Sequence, residues 1–323
     1  MRYFSVGADL CVCPNKVTVE VEYMILHFTK MQGLGNDFIV IDGRNLSHID
    51  WTRLSSKLLD RRYGIGADQL LILEDSQKAD FRMRIFNPDG SEVEMCGNGI
   101  RCLANYIWKR GLSTKSPLEI ETLAGVIRPE KVGGEKNLVR VNMGRPGLRP
   151  EDIPVNIVGG ESNSSGSSLV LDYPLQVRDR LFHITCVSMG NPHAVIMEED
   201  LEVLDIKTYG PLIENHPLFP KRTNVEFVKK VSENTFLVRV WERGAGETLA
   251  CGTGASAVAV AMKIKGLGGD RQKIILPGGE LFIELQYESG VKETLKGIEA
   301  PSVFMTGPAE EVFRGEIDLL VMK

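Results

Sequence analysis

The sequence predicts an α+β protein of two pseudo-symmetric domains that arose by internal duplication, each a curved, mostly antiparallel sheet around a central helix. Three observations predict it. First, Arg84–Leu112, RIFNPDGSEVEMCGNGIRCLANYIWKRGL, overlies Arg239–Leu267, RVWERGAGETLACGTGASAVAVAMKIKGL, without a gap at a shift of 155 positions. Arg84/Arg239, Glu92/Glu247, Cys96/Cys251, Gly97/Gly252, Gly99/Gly254, Ala104/Ala259, Gly111/Gly266 and Leu112/Leu267 are identical. Second, the same shift carries Gly35-Asn36 onto Gly190-Asn191, Asp50 onto Asp205 and Gln69 onto Asn224. Scattered identities arise by accident, but one constant offset across separate segments is the mark of duplication. Third, short strand-like runs punctuated by turn residues dominate each half, with one strong helical pattern in each and no βαβ alternation of the dinucleotide-binding kind.

The totals agree. A chain of 323 residues has two domains as its ordinary expectation. The expected division is an N-terminal extension at 1–23, a first domain at 24–142 completed by a C-terminal strand at 308–323, and a second domain at 143–307. Hydrophobic content of 43% with 25% charge is that of a soluble protein with a proper core. A net charge of −5 with mixed signs offers no basic stripe, which argues against nucleic acid as a partner. No apolar run approaches the roughly 18 residues of a membrane helix. Six cysteines with no paired CxxC pattern, in a chain too long to need disulfide staples, point to a reducing cytoplasm. Cys11 and Cys13 have the wrong spacing for the common metal and redox motifs, and neither metal nor cofactor is expected.

In chain order, residues 1–23 have no counterpart in the second half and lack the cleavage pattern of a signal peptide. Ile25–Lys30 reads as the first strand. Gly33–Phe38 is a glycine-punctuated turn before the buried strand Ile39–Ile41. Asp50 caps a helix to about Asp60, with Trp51, Leu54 and Leu58 on one face. Leu70–Leu73 is a buried strand, and Phe81, Met83 and Ile85 alternate with Arg82 and Arg84 in a half-exposed one. After Cys96 the period becomes helical. Ile100, Leu103, Ala104, Ile107 and Trp108 fall on one face of a helix ending at Gly111. Strands follow near 118–122 and 138–143. The segment at 159–168, GGESNSSGSS, reads as a solvated loop tip.

In the second half, Leu181–Met189 reads as a strand that passes through Gly190-Asn191-Pro192-His193 and continues as Ala194–Met197. A helix from Asp205 mirrors the one at Asp50. Strands are expected at Val225–Lys229, Phe236–Trp241, Lys273–Leu276 and Leu281–Tyr287. The helix after Gly254, Ala255–Met262, is small and apolar nearly all round and must be buried on most sides. Val312–Lys323 is left over and should pair back into the first domain's sheet.

Cys-Gly-X-Gly at a strand-to-helix turn sets a thiol beside unpaired backbone N–H groups, which bind carboxylates and lower a thiol pKa. The glycines let a ligand approach that backbone. One such cysteine is as well explained by burial; two on matched positions of a duplicated unit would aim into one cleft from opposite sides. Inverting a stereocentre by proton transfer needs a base on one face and an acid on the other, and a thiolate with a thiol is such a pair. An acyl-transfer nucleophile would leave the second motif unexplained. Asn36/Asn191 and Gln69/Asn224 keep neutral amides at matched sites, while Asn87-Pro88 faces Glu242-Arg243 across the repeat. One acid, one Arg, several amides and two helix ends suit a small ligand carrying ammonium and carboxylate groups. His193 reads as support, and Cys102 and Cys186 as core.

GLGNDFIVID, GADQ, FNPDGSEVEMCGNGIRC, MGNPH, TNVEFV, ERGAGETLACGTGA and LPGG, in this order from about Met24 to the C-terminus, resemble the diaminopimelate epimerase family. The resemblance implies that family's fold and pyridoxal-phosphate-independent interconversion of LL- and meso-diaminopimelate, in lysine and peptidoglycan-precursor biosynthesis. It implies Cys96 and Cys251 as catalytic acid and base. It also implies substrate contacts from Asn36, Gln69, Asn87, Asn191, Asn224, Glu242 and Arg243, helix-end N–H groups from Gly97-Asn98 and Gly252-Thr253, and support from His193. A cytoplasmic homodimer follows from the same resemblance, with Phe313 where the family often has a Tyr at its dimer contact. The alternatives are a proline or hydroxyproline racemase of the same fold and a protein that switches Cys96 and Cys251 between dithiol and disulfide. Residues 1–23 are expected to be dispensable: a chain begun at Met24 should show the same circular dichroism and thermal midpoint.

Overall fold

The structure, a computed structural model, describes residues 25–46, 48–133, 137–157, 169–288 and 300–319. The expected extension at 1–23 and the loop tip at 159–168 lie outside the described residues. The first half contributes β1 (Ile25–Gly33), β2 (Asn36–Asp42), α1 (Trp51–Leu59), β3 (Gln69–Glu74), β4 (Phe81–Phe86), α2 (Gly97–Lys109), β5 (Ile120–Thr122), β6 (Gly125–Ile127), β7 (Glu130–Lys131) and β8 (Leu138–Asn142). The second contributes β9 (Tyr173–Val177), β10 (Arg180–Ser188), β11 (Pro192–Met197), α3 (Ile206–Glu214), β12 (Asn224–Ser232), β13 (Thr235–Glu242), β14 (Gly246–Thr248), α4 (Gly252–Ile264), β15 (Arg271–Leu276) and β16 (Gly279–Gln286). β17 (Ser302–Pro308) and β18 (Glu310–Asp318) close the chain.

The duplication is structural. Moved by the same shift, β1, α1 and α2 land on β10, α3 and α4 with identical bounds. Asp50 and Asp205 cap α1 and α3 alike, their carboxylates accepting the N–H of Arg53 and Thr208 at 3.2 Å each. β18-β1-β2-β3-β4-β5-β6 form a seven-stranded sheet, and β7-β8-β17-β16-β15-β13-β12-β11-β10-β9, with β14 on β13, an eleven-stranded one. The parallel pairs recur at matched places, β2/β3 and β4/β5 against β11/β12 and β13/β15, and the other pairings are antiparallel. Each parallel pair is bridged by a helix, so two βαβ crossovers per unit sit inside mostly antiparallel sheets. The sequence hid them because antiparallel neighbours interrupt the alternation.

Each sheet carries a helix on both faces, which explains the unbroken apolar runs in β2 and β3. Ile100, Leu103, Ala104 and Ile107 of α2 pack with Met31, Phe38, Val40 and Leu71 on one face. Trp51 and Leu58 of α1 pack with Ile39, Ile41, Leu70 and Ile72 on the other. α4 is enclosed by Val187, Val195, Val228 and Phe236, so its all-round apolar surface never meets water. The C-terminal run does return to the first sheet, β18 lying antiparallel on β1 from Ile25 opposite Asp318 to Gln32 opposite Glu310.

Two details differ from expectation. Gly190, at φ 87°, turns the chain back on itself, so Leu181–Met197 is not one continuing strand but the hairpin of β10 and β11. An apolar run on both sides of the turn concealed the reversal. The strand before the expected boundary at 142 is shared: β8 is hydrogen-bonded to β17 of the second sheet, while Val139 and Val141 pack in the core around α2.

The halves also interlock at the β1–β2 turn. Leu34, in the left-handed region at φ 59°, enters the core of the second unit. There its carbonyl oxygen would lie 2.0 Å from a Cβ on Gly278. Gly278→Ala should therefore force the turn out of its seat and cost about 1–3 kcal/mol, measurable by urea denaturation.

Candidate active site

Cys96 and Cys251 are the N-caps of α2 and α4. Both have extended backbones, φ −137° and −123°, and each sulfur accepts the N–H three residues on, from Gly99 and Gly254, at 3.4 Å. The thiols thus do what Ser or Asp does at an ordinary helix start, and lie where the helix dipole favours negative charge. The two helix ends converge on Met305 of β17: a Cβ on Gly97 would lie 3.2 Å from its methyl, and one on Gly252 3.0 Å from its sulfur. A Cβ at either position would press the Met305 side chain back by a few tenths of an ångström. Asn98 Oδ1, buried and without a hydrogen bond, lies 3.9 Å from the same Gly252 position.

On the first side, Asn36 Oδ1 lies 3.8 Å from Cys96 Sγ and accepts from Asn98 Nδ2 at 3.2 Å. Asn36 Nδ2 donates to Asp68 at 2.8 Å. Behind it stands a charged cluster in which Arg61 bridges Asp37 and Asp68, at 2.6 and 2.8 Å, and Lys30 meets Asp37 at 2.6 Å. Burial opposes ionisation of Asp37, but hydrogen bonds from Arg61 and Lys30 and the Lys30 charge outweigh it and hold the carboxyl at about 2. Gln69 Nε2 donates to Asn87 Oδ1 at 3.0 Å, and Asn87 to Ser91 at 3.1 Å.

The second side is oriented differently. Thr253 Oγ1 lies 3.4 Å from Cys251 Sγ and accepts from Asn191 Nδ2 at 3.4 Å. Asn191 Oδ1 lies 3.0 Å from His193 Nε2, and His193 Nδ1 lies 2.7 Å from Glu226, a pair wholly removed from solvent. Glu242 sits beside Cys251 and accepts from Thr248 at 2.6 Å; burial raises its carboxyl above the usual range despite that bond. Asn224 donates to Pro192 O at 2.9 Å and accepts the Arg243 N–H at 2.9 Å. Burial pushes the Cys96 thiol up, with the Gly99 and Asn98 N–H groups opposing it. Burial, then Glu242 and Glu226, push Cys251 well above the usual range.

The structure therefore gathers Cys96, Asn36, Gly97 and Asn98 with Cys251, Gly252, Thr253, Asn191, His193 and Glu242, and pairs Gln69 with Asn87. Glu242 and Arg243 separate: Glu242 joins the thiol, while the exposed Arg243 guanidinium donates to Lys221 O at 3.0 Å. Sequence reasoning missed Glu226, Asp68, Arg61, Asp37, Thr248 and Met305. Glu226 carried a usable signal, since it stands in an otherwise apolar strand core between Val225 and Phe227. Cys102 and Cys186 are core residues, both raised by burial, Cys102 to about 12. Among the described residues no helix is long and apolar enough to cross a membrane.

Folding favours the ionised form of Asp37, so its contribution is complete above its ordinary 3.8 and lost as pH falls towards 2. Asp37→Asn should flatten the acid arm of a urea-stability curve across that window. Glu226→Ala, leaving His193 Nδ1 buried without its partner, should cost about 1–3 kcal/mol in the same assay at neutral pH.

The diaminopimelate epimerase family model matches residues 28–148 and 185–312. The diaminopimelate epimerase of Carboxydothermus hydrogenoformans is 51% identical over 294 residues, covering 90% of this chain and 99% of its own. That of Desulforudis audaxviator is 50% identical over 293 residues, with 90% and 99% covered. Among solved structures, a hydroxyproline epimerase from Agrobacterium vitis aligns with a TM-score of 0.64 at 15% identity, covering 92% of each chain. A PhzF-family protein of Bacillus anthracis aligns with a TM-score of 0.64 at 18% identity, covering 91% of this chain and 99% of its own. These two share the fold. Two halves built alike, two thiol-capped helices and half-identity across nine-tenths of the sequence agree: the chain belongs to the diaminopimelate epimerase family.

Proposed function

We propose that the chain epimerises LL-diaminopimelate to meso-diaminopimelate by two-base proton transfer at one α carbon, independently of pyridoxal phosphate, in lysine and peptidoglycan-precursor biosynthesis. The observation that carries the reading is the pair of thiols capping pseudo-symmetric helices whose first turns meet over Met305. The helix-end N–H groups at Gly97-Asn98 and Gly252-Thr253 suit the α-carboxylate, and negative charge that develops on it during proton loss is stabilised by two helix ends. One thiolate takes the proton from Cα, the electron pair of the broken C–H bond passing towards the carboxylate. The thiol on the opposite face then gives its proton to Cα as its own S–H bond breaks. One proton leaves and one arrives, the sulfurs exchange roles, and the reverse reaction uses the same groups. Asn36 and Asn191 flank the two sulfurs, while Gln69, Asn87, Asn224 and Arg243 make the outer contacts to the substrate's second amino-acid end. Glu242 adds its carboxylate beside Cys251, and His193 holds Asn191 in place. The domain division at 142 and 307 is the one proposed from the repeat, with β8 as the shared strand.

A second copy of the chain is the proposed partner. Among the described residues β18 is an edge strand whose Val312 and Phe313 are exposed, the Phe313 ring lying edge-on to Phe28 at 6.0 Å. Light scattering should give the mass of a dimer, and Phe313→Asp should shift it towards the monomer.

Incubation with LL-diaminopimelate in D₂O should incorporate deuterium at the α carbon and yield meso product. Exchange with proline instead would favour the racemase alternative, and reversible disulfide formation with no exchange the redox one. Cys96→Ala and Cys251→Ala should each reduce epimerisation by roughly 10²–10⁴-fold. Near-normal turnover in either variant would rule out the two-base mechanism.

A further inference from the structure

Arg101 is a fully buried guanidinium whose contacts are all neutral. Nε donates to Pro308 O at 3.2 Å, Nη1 to Gly97 O at 3.3 Å and to Met305 Sδ at 3.5 Å, and Nη2 has no partner. Its slot is walled by glycines: a Cβ on Gly33 would lie 3.2 Å from Nη2, and one on Gly307 3.2 Å from Cζ. Among the described residues no carboxylate pairs with it. A buried charge without a counter-ion is strongly destabilising, so one held this tightly calls for an anion in the same low-dielectric volume.

We propose that Arg101 is the counter-ion of the thiolate that forms at Cys96 and a positioning residue for that sulfur, so that in the substrate-free protein Cys96 ionises before Cys251. This rests on the two-thiol reading above. Arg101 lies on α2, the helix Cys96 caps, and grips the carbonyl of Gly97, the residue next to that sulfur. Burial lowers the guanidinium only to about 10, so it stays cationic at neutral pH. The titratable groups within its field are Cys102 and Cys96, and Cys102, deep in the apolar core, stays a thiol. At Cys96 burial opposes the thiolate and the Glu242 carboxylate adds to that opposition, while the Gly99 and Asn98 N–H groups and Arg101 favour the thiolate.

The second unit lacks this cation. The shift that places Cys96 on Cys251 places Arg101 on Ser256, whose hydroxyl donates to Gly252 O at 2.9 Å. The same carbonyl is held, without charge. Cys251 instead faces two carboxylates, Glu242 and Glu226, the latter already paired with His193. A pair of thiols that shares one proton keeps it where the field is negative, on Cys251.

The test is alkylation of the reduced, substrate-free protein by iodoacetamide across pH, with each cysteine followed by peptide mass spectrometry. The midpoint of each profile reports thiolate formation whatever the accessibility of the sulfur. Cys96 should titrate below Cys251. Arg101→Met should raise the Cys96 midpoint by about one unit, a tenfold loss of thiolate at fixed pH, and leave Cys251 nearly unmoved. Arg101→Lys should restore most of the shift. Cys251 titrating first in the unaltered protein, or an unmoved Cys96 midpoint in folded Arg101→Met, would overturn the proposal. If Arg101→Met does not fold, the order of midpoints in the unaltered protein decides. Because no substrate is present, this outcome is independent of the deuterium-exchange test of the reaction.

Discussion

A cysteine sulfur accepting the N–H of the third residue of a helix is the interaction on which this structure depends, and the fold makes it twice. Each cap needs an extended residue, two glycines and a helix axis aimed at one point. Each helix is held there by a sheet that covers it and by a second helix on that sheet's far face. The apolar runs in β2, β3, β11 and β12 follow from this, since strands covered on both faces have no polar side to show. Met305 then sets how closely the helix ends meet, because both Gly97 and Gly252 rest against it.

The symmetry stops at the first layer of side chains. The caps are the same, but the groups behind them are not. Asn36 is oriented by a cluster of Lys30, Asp37, Arg61 and Asp68, and Asn191 by the buried pair of His193 and Glu226. Arg101 supports one helix start where Ser256 supports the other. A duplicated frame thus supplies matched geometry on the two faces of a bound molecule, while unmatched charges distinguish those faces. The proposed proton transfer, in from one side and out from the other, uses both properties.

Much of this was legible along the chain. The constant offset gave the two units, and the helical period after Cys96 gave α2. Asp50 and Asp205 announced α1 and α3, and the paired Cys-Gly-X-Gly announced the site. What stayed hidden depended on partners distant in sequence. The hairpin at Gly190 was masked because apolar strands flank it on both sides, and the crossovers because antiparallel neighbours separate the parallel pairs. The sharing of β8 between one unit's sheet and the other's core has no local signature at all. Glu226 and Arg101 were passed over for a related reason. A charged residue within a strand or helix shows its meaning only when its burial and its partners are known.

The sequence by itself determined the duplication, the principal elements, the two thiols and the amides matched between the halves. These rest on periodicity, capping and spacing, which act over a few residues or repeat at a fixed interval. Only the tertiary structure decided that Glu242 stands beside Cys251 while Arg243 turns outward, and that Leu34 locks one unit into the other's core. It alone revealed that a lone guanidinium lies behind Cys96 and two carboxylates behind Cys251. Burial and charge balance are properties of a volume, and a volume exists only once the chain has closed around it.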